Sequence, residues 1–334
     1  MQYIVSNLEL INQQCPNIVK VYKYSCIKNE ESFDIKAALY SLMICRLKQD
    51  NIVQQNSTTV FEQEYLPSTY EVYITQQELL QELNLKPISS QITNCNLDFE
   101  KNTTTKVLLI VKWIGHCMKI LTQLHEVLDV MHGNISLGNV MTRTYPHPKE
   151  KLDSTILNTL SLDEAKILKP VVCRELVVTD LNNSYLLEHK LEGDDVRDIS
   201  EHNQFVIVAQ YPYSHIQQRI LQRVQGDIYS MAIFIAKLVK EILFNDEHFL
   251  DPNVTHDYKS FTAYRCAVLE FFKTLSIYTE NDNITIKSTQ LNHTFFSGLF
   301  SLLDYMLNES VMPSKSKTIY ESDILEPVLK LVKE

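Results

Sequence analysis

The stretch MHGNISLGNVM, Met131–Met141, is where the reading of this chain begins. It sets a histidine, two glycines and two asparagines between apolar segments. Upstream, HCMKILTQLHEVLDVM (116–131) carries apolar residues at three- and four-residue spacing, the period of a helix. Downstream, ELVVTD (175–180) is a strand-like run ending in Asp180. Further on, Gly226-Asp227-Ile228-Tyr229-Ser230-Met231-Ala232 opens a long apolar helix. Taken singly, each piece has an ordinary explanation: a loop histidine at His132, a turn at Asp180, a helix N-cap at Asp227. Their order, on a loop, a strand end and a helix start, makes them one candidate constellation.

Outward from this loop the chain changes character. VKVYKYSCI (19–27) and TTVFEQEYL (58–66) alternate and are rich in β-branched and aromatic residues, which predicts strands. DIKAALYSLMICRL (34–47) is compatible with strand or helix. Pro67-Ser68-Thr69 reads as a helix entry, and TYEVYITQQELLQEL (69–83) carries helical apolar spacing. SQITNCNLDF (90–99) follows, and KVLLIVKWI (106–114) reads as a buried strand. After Trp113 helices are expected: 116–131, 227–245, about 256–280, about 286–308 and a short one near 321–333. A β-rich front and an α-rich back, divided near residue 115, predict two unequal lobes with a cleft between them.

Composition narrows the function classes. The chain has 334 residues and a formal net charge of −10, with lysines and arginines scattered, so no basic nucleic-acid footprint is expected. Seven cysteines stand singly at 15, 26, 45, 95, 117, 173 and 266, without a CxxC, which favours reduced thiols over zinc or a disulfide framework. The N-terminal stretch has no basic n-region and no long apolar core, so no signal peptide is expected. The most apolar helix-like run, IYSMAIFIAKLVKEILF (228–244), carries Lys237 and Lys240 and is too charged to span a bilayer. Asn-x-Ser/Thr sequons, as at Asn56, Asn102 and Asn253, are read as a by-product of an Asn/Ser/Thr-rich composition.

In order and spacing, His132 to Asn139, Asp180-Leu181-Asn182 and Gly226 to Ala232 resemble the catalytic loop, the metal-binding turn and the central helix start of the protein-kinase fold. The wording HGNISLGN, followed by an apolar strand and DLN, is most similar to the fungal-type protein kinases, whose loop reads HxDISxxN. LHEVLDVMHG, with Leu124-His125 ahead of His132, resembles the helix leading into that loop. The resemblance runs from about 106 to 245, weakens after that, and is only architectural before 100. It implies an α+β, two-lobed protein-kinase-like fold: a small β-rich N-lobe over 1–114 with one αC-like helix, and a larger helical C-lobe over 115–334. Within the C-lobe it implies a catalytic-loop-like segment at 131–141, an insertion at about 143–172 and an activation-segment-like stretch at 180–226. A helix is expected at 161–169, where Ser161 and Glu164 form a capping-box pattern.

The resemblance also assigns roles. Phosphoryl transfer asks mainly for positioning and charge neutralisation. Asn139 and Asp180 match the two positions that hold Mg²⁺ on the phosphates of ATP, with oxygen donors suited to that ion. Asp227 matches the helix aspartate that hydrogen-bonds the loop backbone, a structural role. His132 matches the loop histidine. Asn134 stands at the position of the catalytic aspartate, and a neutral amide cannot act as a base. Gly133 replaces the arginine that pairs with an activation-loop phosphate, so switching by phosphorylation of that loop is not expected. Ser136 stands where many protein kinases carry lysine, and the fungal type tolerates serine there. The stretch 181–226 is acidic, holds no threonine and has no APE signature.

The front region lacks its nucleotide clamp. No glycine precedes Gly115, so a glycine-rich phosphate loop is excluded there. No Lys or Arg lies between Lys48 and Lys86, where the phosphate-gripping lysine is expected if 69–83 is the αC-like helix. Lys36 in FDIK is a distant candidate, and Glu71 and Glu78 are candidates for the αC glutamate. These departures imply a pseudokinase: a binding or regulatory module with impaired phosphotransfer, ATP and Mg²⁺ bound weakly or lost, and a protein partner or protein substrate. No nucleic acid or membrane is expected, and the location is intracellular, cytoplasmic or nuclear. An atypical active kinase of the fungal type, an aminoglycoside-type phosphotransferase and a helical interaction protein with coincidental motifs stand as alternatives. The Asp227-Ile228-Tyr229-Ser230 helix start favours the protein-kinase branch over the aminoglycoside type.

Overall fold

The computed structural model describes residues 8–29, 56–65, 69–181, 185–186, 223–245, 266–273, 290–307, 324 and 326–327. Its described residues are mixed helix and sheet, an α+β composition. The chain forms two compact units, Met1–Gln81 and Glu82–Glu334.

In the first unit, helix α1 (Leu8–Gln14) precedes three strands, β1 (Val21–Asn29), β2 (Asn56–Tyr65) and β3 (Thr69–Glu78). These form an antiparallel sheet in the order β1-β3-β2, with Cys26 opposite Tyr73 and Phe61 opposite the same Tyr73 from the other side. The strands expected at 19–27 and 58–66 are β1 and β2. The helix expected at 69–83 is instead the central strand β3. TYEVYIT is rich in β-branched and aromatic residues, and pairing on both edges satisfies its backbone groups. Glu71 and Glu78 therefore lie on a strand and not on an αC-like helix. Residues 34–47, with Lys36, lie outside the described residues.

A two-residue strand, β4 (Gln81–Glu82), marks the change of unit, and helix α2 (Leu85–Thr93) follows. The second unit is built around helix α3, Phe99–Thr122. Asp98 caps it by accepting from the Lys101 N–H at 2.7 Å. The buried strand expected at 106–114 is the middle of this helix. A continuous apolar run does not distinguish a buried strand from a buried helix; length and capping decide, and here they give 24 helical residues. Val107 to Val111, Trp113 and Ile114 are all fully buried, the signature of a helix enclosed on every side. Phe99–Val127 is long and apolar enough to cross a membrane, but 83% of its most apolar window is buried within the protein. The division expected at 114/115 falls inside this unbroken helix; the two units meet at 81/82.

A π-helical turn, Gln123–Val127, ends the helix, with Leu128 N–H donating to Gln123 O at 3.0 Å. Strand β5 (Val130–Met131) pairs with β8 (Tyr185–Leu186), and β6 (Val140–Thr144) pairs antiparallel with β7 (Arg174–Val178). Between β6 and β7 lie helices α4 (Lys151–Asn158) and α5 (Leu162–Val172). The expected capping box is present on α5: Ser161 Oγ accepts from Glu164 N–H at 3.4 Å and Glu164 accepts from Ser161 N–H at 2.6 Å. Lys101 on α3 pairs with Glu164 at 2.6 Å, and that bond with the Ser161 contacts holds the half-buried carboxyl down to about 2.

Buried charges join this α4–α5 segment to α3. Lys112 lies 2.5 Å from Asp153, and its remaining donors reach Val172 O at 2.6 Å and Arg174 O at 2.7 Å. His116 Nε2 donates to Glu150 at 2.8 Å, and its Nδ1 accepts from Leu176 N–H at 3.1 Å. Helix α6 (Arg223–Phe244) packs against α3 and α2, buried from Ile228 to Phe234 with little interruption. A helical stretch at 266–273 and helix α7 (Gln290–Met306) follow, with helical residues again at 324 and 326–327. Phe244 of α6 meets Phe271 edge-on at 5.8 Å and Phe296 at 6.5 Å. The outer parts of the helices expected at 256–280, 286–308 and 321–333, and most of 180–226, lie outside the described residues. Cys15, Cys95, Cys117 and Cys173 are buried and free, and Cys266 is exposed and free.

Candidate functional site

The loop 132–139 hangs between β5 and β6. Its far end closes in a tight turn, with the N–H groups of Asn139 and Val140 both donating to Ser136 O at 3.1 Å. Register across β6 and β7 sets Val140 opposite Val178, and Thr179 N–H continues the ladder by donating to Asn139 O at 2.8 Å. The Thr179 hydroxyl adds a second bond to the same carbonyl at 3.3 Å. Asn139 and Asp180, 41 residues apart by number, therefore flank one short piece of sheet.

The near end of the loop is held from α6. Asp227, 1% exposed, accepts from the N–H of His132 at 2.7 Å and of Gly133 at 2.9 Å, and from His125 Nε2 at 3.0 Å. Two backbone donors and an imidazole N–H surround one carboxylate, an arrangement that offsets the cost of burying its charge. Gly133 adopts φ 77°, a left-handed conformation that a side chain disfavours, and this turns its N–H toward Asp227. Asp227 is the fifth residue of α6, which starts at Arg223, so it is not that helix's N-cap.

His132 is fully buried and links the pieces. Its Nε2 lies 2.7 Å from Thr179 O and its Nδ1 3.1 Å from Asn134 N. A carbonyl only accepts and a backbone N–H only donates, so the ring carries its proton on Nε2. One imidazole thereby joins the loop to the residue preceding Asp180. His125 and Thr179 were not singled out as site residues by sequence reasoning. His125 was visible only as part of the run leading to the loop, and Thr179 carried no signal beyond its place before Asp180.

Three polar side chains remain for chemistry. Asn139 Nδ2 donates to Asn134 O at 2.8 Å, which commits the amide nitrogen and leaves Oδ1 without a partner among the described residues. The Asp180 carboxylate has no hydrogen bond or ion pair among the described residues, and its backbone sits at φ 59°. Aspartate tolerates this region only at a cost, and such strain clusters at functional sites. Asn134 presents an amide that neither donates nor accepts within the described residues. The donors that fit a magnesium ion are thus one amide oxygen and one carboxylate, both hard. No group of three or more His, Cys, Asp or Glu capable of caging a metal occurs among the described residues. Compared with known proteins, the chain matches no family model and no curated protein.

Proposed function

We propose that this chain is a protein-kinase-like protein of the fungal type that has lost effective phosphotransfer and serves as a regulatory or binding module. The observation that supports the reading is Asp227 gripping the amides of His132 and Gly133 while His132 grips Thr179. This network costs buried polar groups and a strained Asp180, and its effect is to hold Asn139 and Asp180 at one edge.

In this reading Asn139 and Asp180 hold Mg²⁺ on the phosphates of ATP, and the ion neutralises charge on the nucleotide. Asn134 supplies an amide where a hydroxyl proton would have to be accepted, so nucleotide binding outlasts catalysis. The module's partner is a protein, met inside the cell in cytoplasm or nucleus.

The experiment is thermal unfolding of the full chain with ATP, with Mg²⁺, and with both. Ligand at ten times its Kd stabilises by about 1.4 kcal/mol, which raises Tm by about 2–4 °C per kcal/mol for a unit of this size. A rise that needs metal and nucleotide together is the expected result. No shift at millimolar nucleotide would overturn the Mg–nucleotide part. Autophosphorylation that disappears in Asp180→Ala would replace the reading with an active kinase.

A further inference from the structure

A cavity of about 390 Å³ opens in the second unit among the α2–α3 connection, the first turns of α3, the end of α6 and α7. Its volume lies within the range of small-molecule pockets. Its apolar lining is formed by Leu97, Val107, Leu243, Phe244 and Phe296, beside polar side chains, and Phe99 at its lining is 61% exposed. Among the described lining residues one carries a charge, Lys106.

Lys106 differs from the other lysines of α3. Lys101 pairs with Glu164, Lys112 with Asp153 and Lys119 with Glu150. Among the described residues, the Lys106 ammonium has one partner, the neutral Ser89 Oγ at 3.2 Å, and no carboxylate. Ser89 in turn donates to Ile242 O at 3.1 Å, so the hydroxyl is fixed in place. Of the other polar side chains on the wall, Thr93 Oγ1 donates to Ser89 O at 2.9 Å, Asn102 Nδ2 to Ile92 O at 3.2 Å and Thr103 Oγ1 to Phe99 O at 2.9 Å. Burial lowers the Lys106 pKa, so water solvates this cation incompletely. A largely apolar cavity whose one charged lining residue has no carboxylate partner among the described residues is complementary to a molecule with an apolar body and one anionic head.

We infer that this cavity is a binding site for an amphiphilic monocarboxylate, such as a medium-chain fatty acid, with Lys106 as the carboxylate anchor and the Phe244–Phe296 wall as the seat of the chain. The site is separate from the 131–141 loop and does not rest on the phosphotransferase reading.

The test titrates the full chain with octanoate and with 1-octanol, which share a chain and differ in charge, by calorimetry and ligand-observed NMR. Octanoate is expected to bind about tenfold tighter or more, the scale of one charge-assisted contact. Lys106→Met, which keeps the apolar stem, should abolish that preference while leaving octanol affinity within about twofold. Lys106→Gln serves the same purpose if the Met variant melts early. Phe99→Ala should weaken both ligands. Equal binding of octanoate and octanol, a preference that survives in both Lys106 variants, or no binding at millimolar octanoate would overturn the inference. Displacement of octanoate by ATP would overturn the separateness of the site.

Discussion

Asp227 Oδ2 lies 2.7 Å from the main-chain nitrogen of His132, a residue 95 positions earlier. The same carboxylate reaches Gly133 and His125, so helix α6 sets the conformation of a loop it does not adjoin in sequence. Removing it leaves two backbone donors and an imidazole N–H facing a void. Asp227→Ala should cost about 3–5 kcal/mol, as breaking a buried charged network does. Asp227→Asn keeps one acceptor oxygen and should cost less, about 1–3 kcal/mol. Urea unfolding of both variants checks the order; equal, small losses would mean that the loop does not depend on this contact.

Asp180 separates backbone strain from chemistry. At φ 59° a glycine sits without the Cβ penalty that aspartate bears. Asp180→Gly should leave stability unchanged or raise it by up to about 1 kcal/mol, while abolishing any Mg–nucleotide shift in Tm. Asp180→Ala removes the same carboxylate but keeps the strained Cβ, and should be the less stable of the two. If Asp180→Gly retains the full Mg–nucleotide shift, the carboxylate is not a metal ligand.

Lys112 and Asp153, both nearly fully buried, stitch α3 to α4. Lys112→Met strands the Asp153 charge and frees two carbonyls, and should cost about 3–5 kcal/mol. Lys112→Met with Asp153→Leu replaces the pair by apolar groups and should recover part of that loss, giving a coupling of more than about 1 kcal/mol in the double-mutant cycle. Additive losses would argue that the two residues act independently.

Acid should loosen the same junction in two stages. His116 is held below its ordinary 6.5, first by burial, against an opposing pull from Glu150. Its Nδ1 already accepts from Leu176 N–H, which a second ring proton would oppose. Between 6.5 and the depressed value the unfolded chain binds the extra proton, so stability is full above 6.5 and falls as pH drops. Burial disfavours the charge on Glu150, but its bonds to His116 and Lys119 outweigh that and hold it below its ordinary 4.5. Its contribution is present above 4.5 and is lost as pH falls through the depressed value. Urea midpoints against pH should show both limbs. His116→Asn should flatten the upper one and Glu150→Gln the lower one; an unchanged profile in either variant would remove that residue from the account.

Local chemistry was legible wherever a short stretch carries its own instructions. Ser161 and Glu164 announced a capping box, β1 and β2 announced themselves by alternation, and α6 by an apolar run with helical spacing. The two misread elements share a cause. The run Val107–Val111 is unbroken and apolar, so it has no face by which to tell strand from helix; Asp98 nine residues before it and the continuation to Thr122 decide for helix. TYEVYIT supports either reading locally, and its outcome was set by β1 and β2 closing on both its edges. With it went the expected αC-like helix, and Glu71 and Glu78 as that helix's glutamates.

By itself, the sequence determined which groups are available: a neutral amide at Asn134, oxygen donors at Asn139 and Asp180, and a carboxylate at Asp227. Residue type alone sets those properties, because protonation and donor chemistry belong to the side chain. Only the tertiary structure decided which groups meet. The Asp227–His132 contact, the His132–Thr179 bond and the Ser89–Ile242 bond beside Lys106 join segments far apart in the chain. No local pattern encodes such contacts, because they depend on how whole helices and strands pack once their apolar faces are buried.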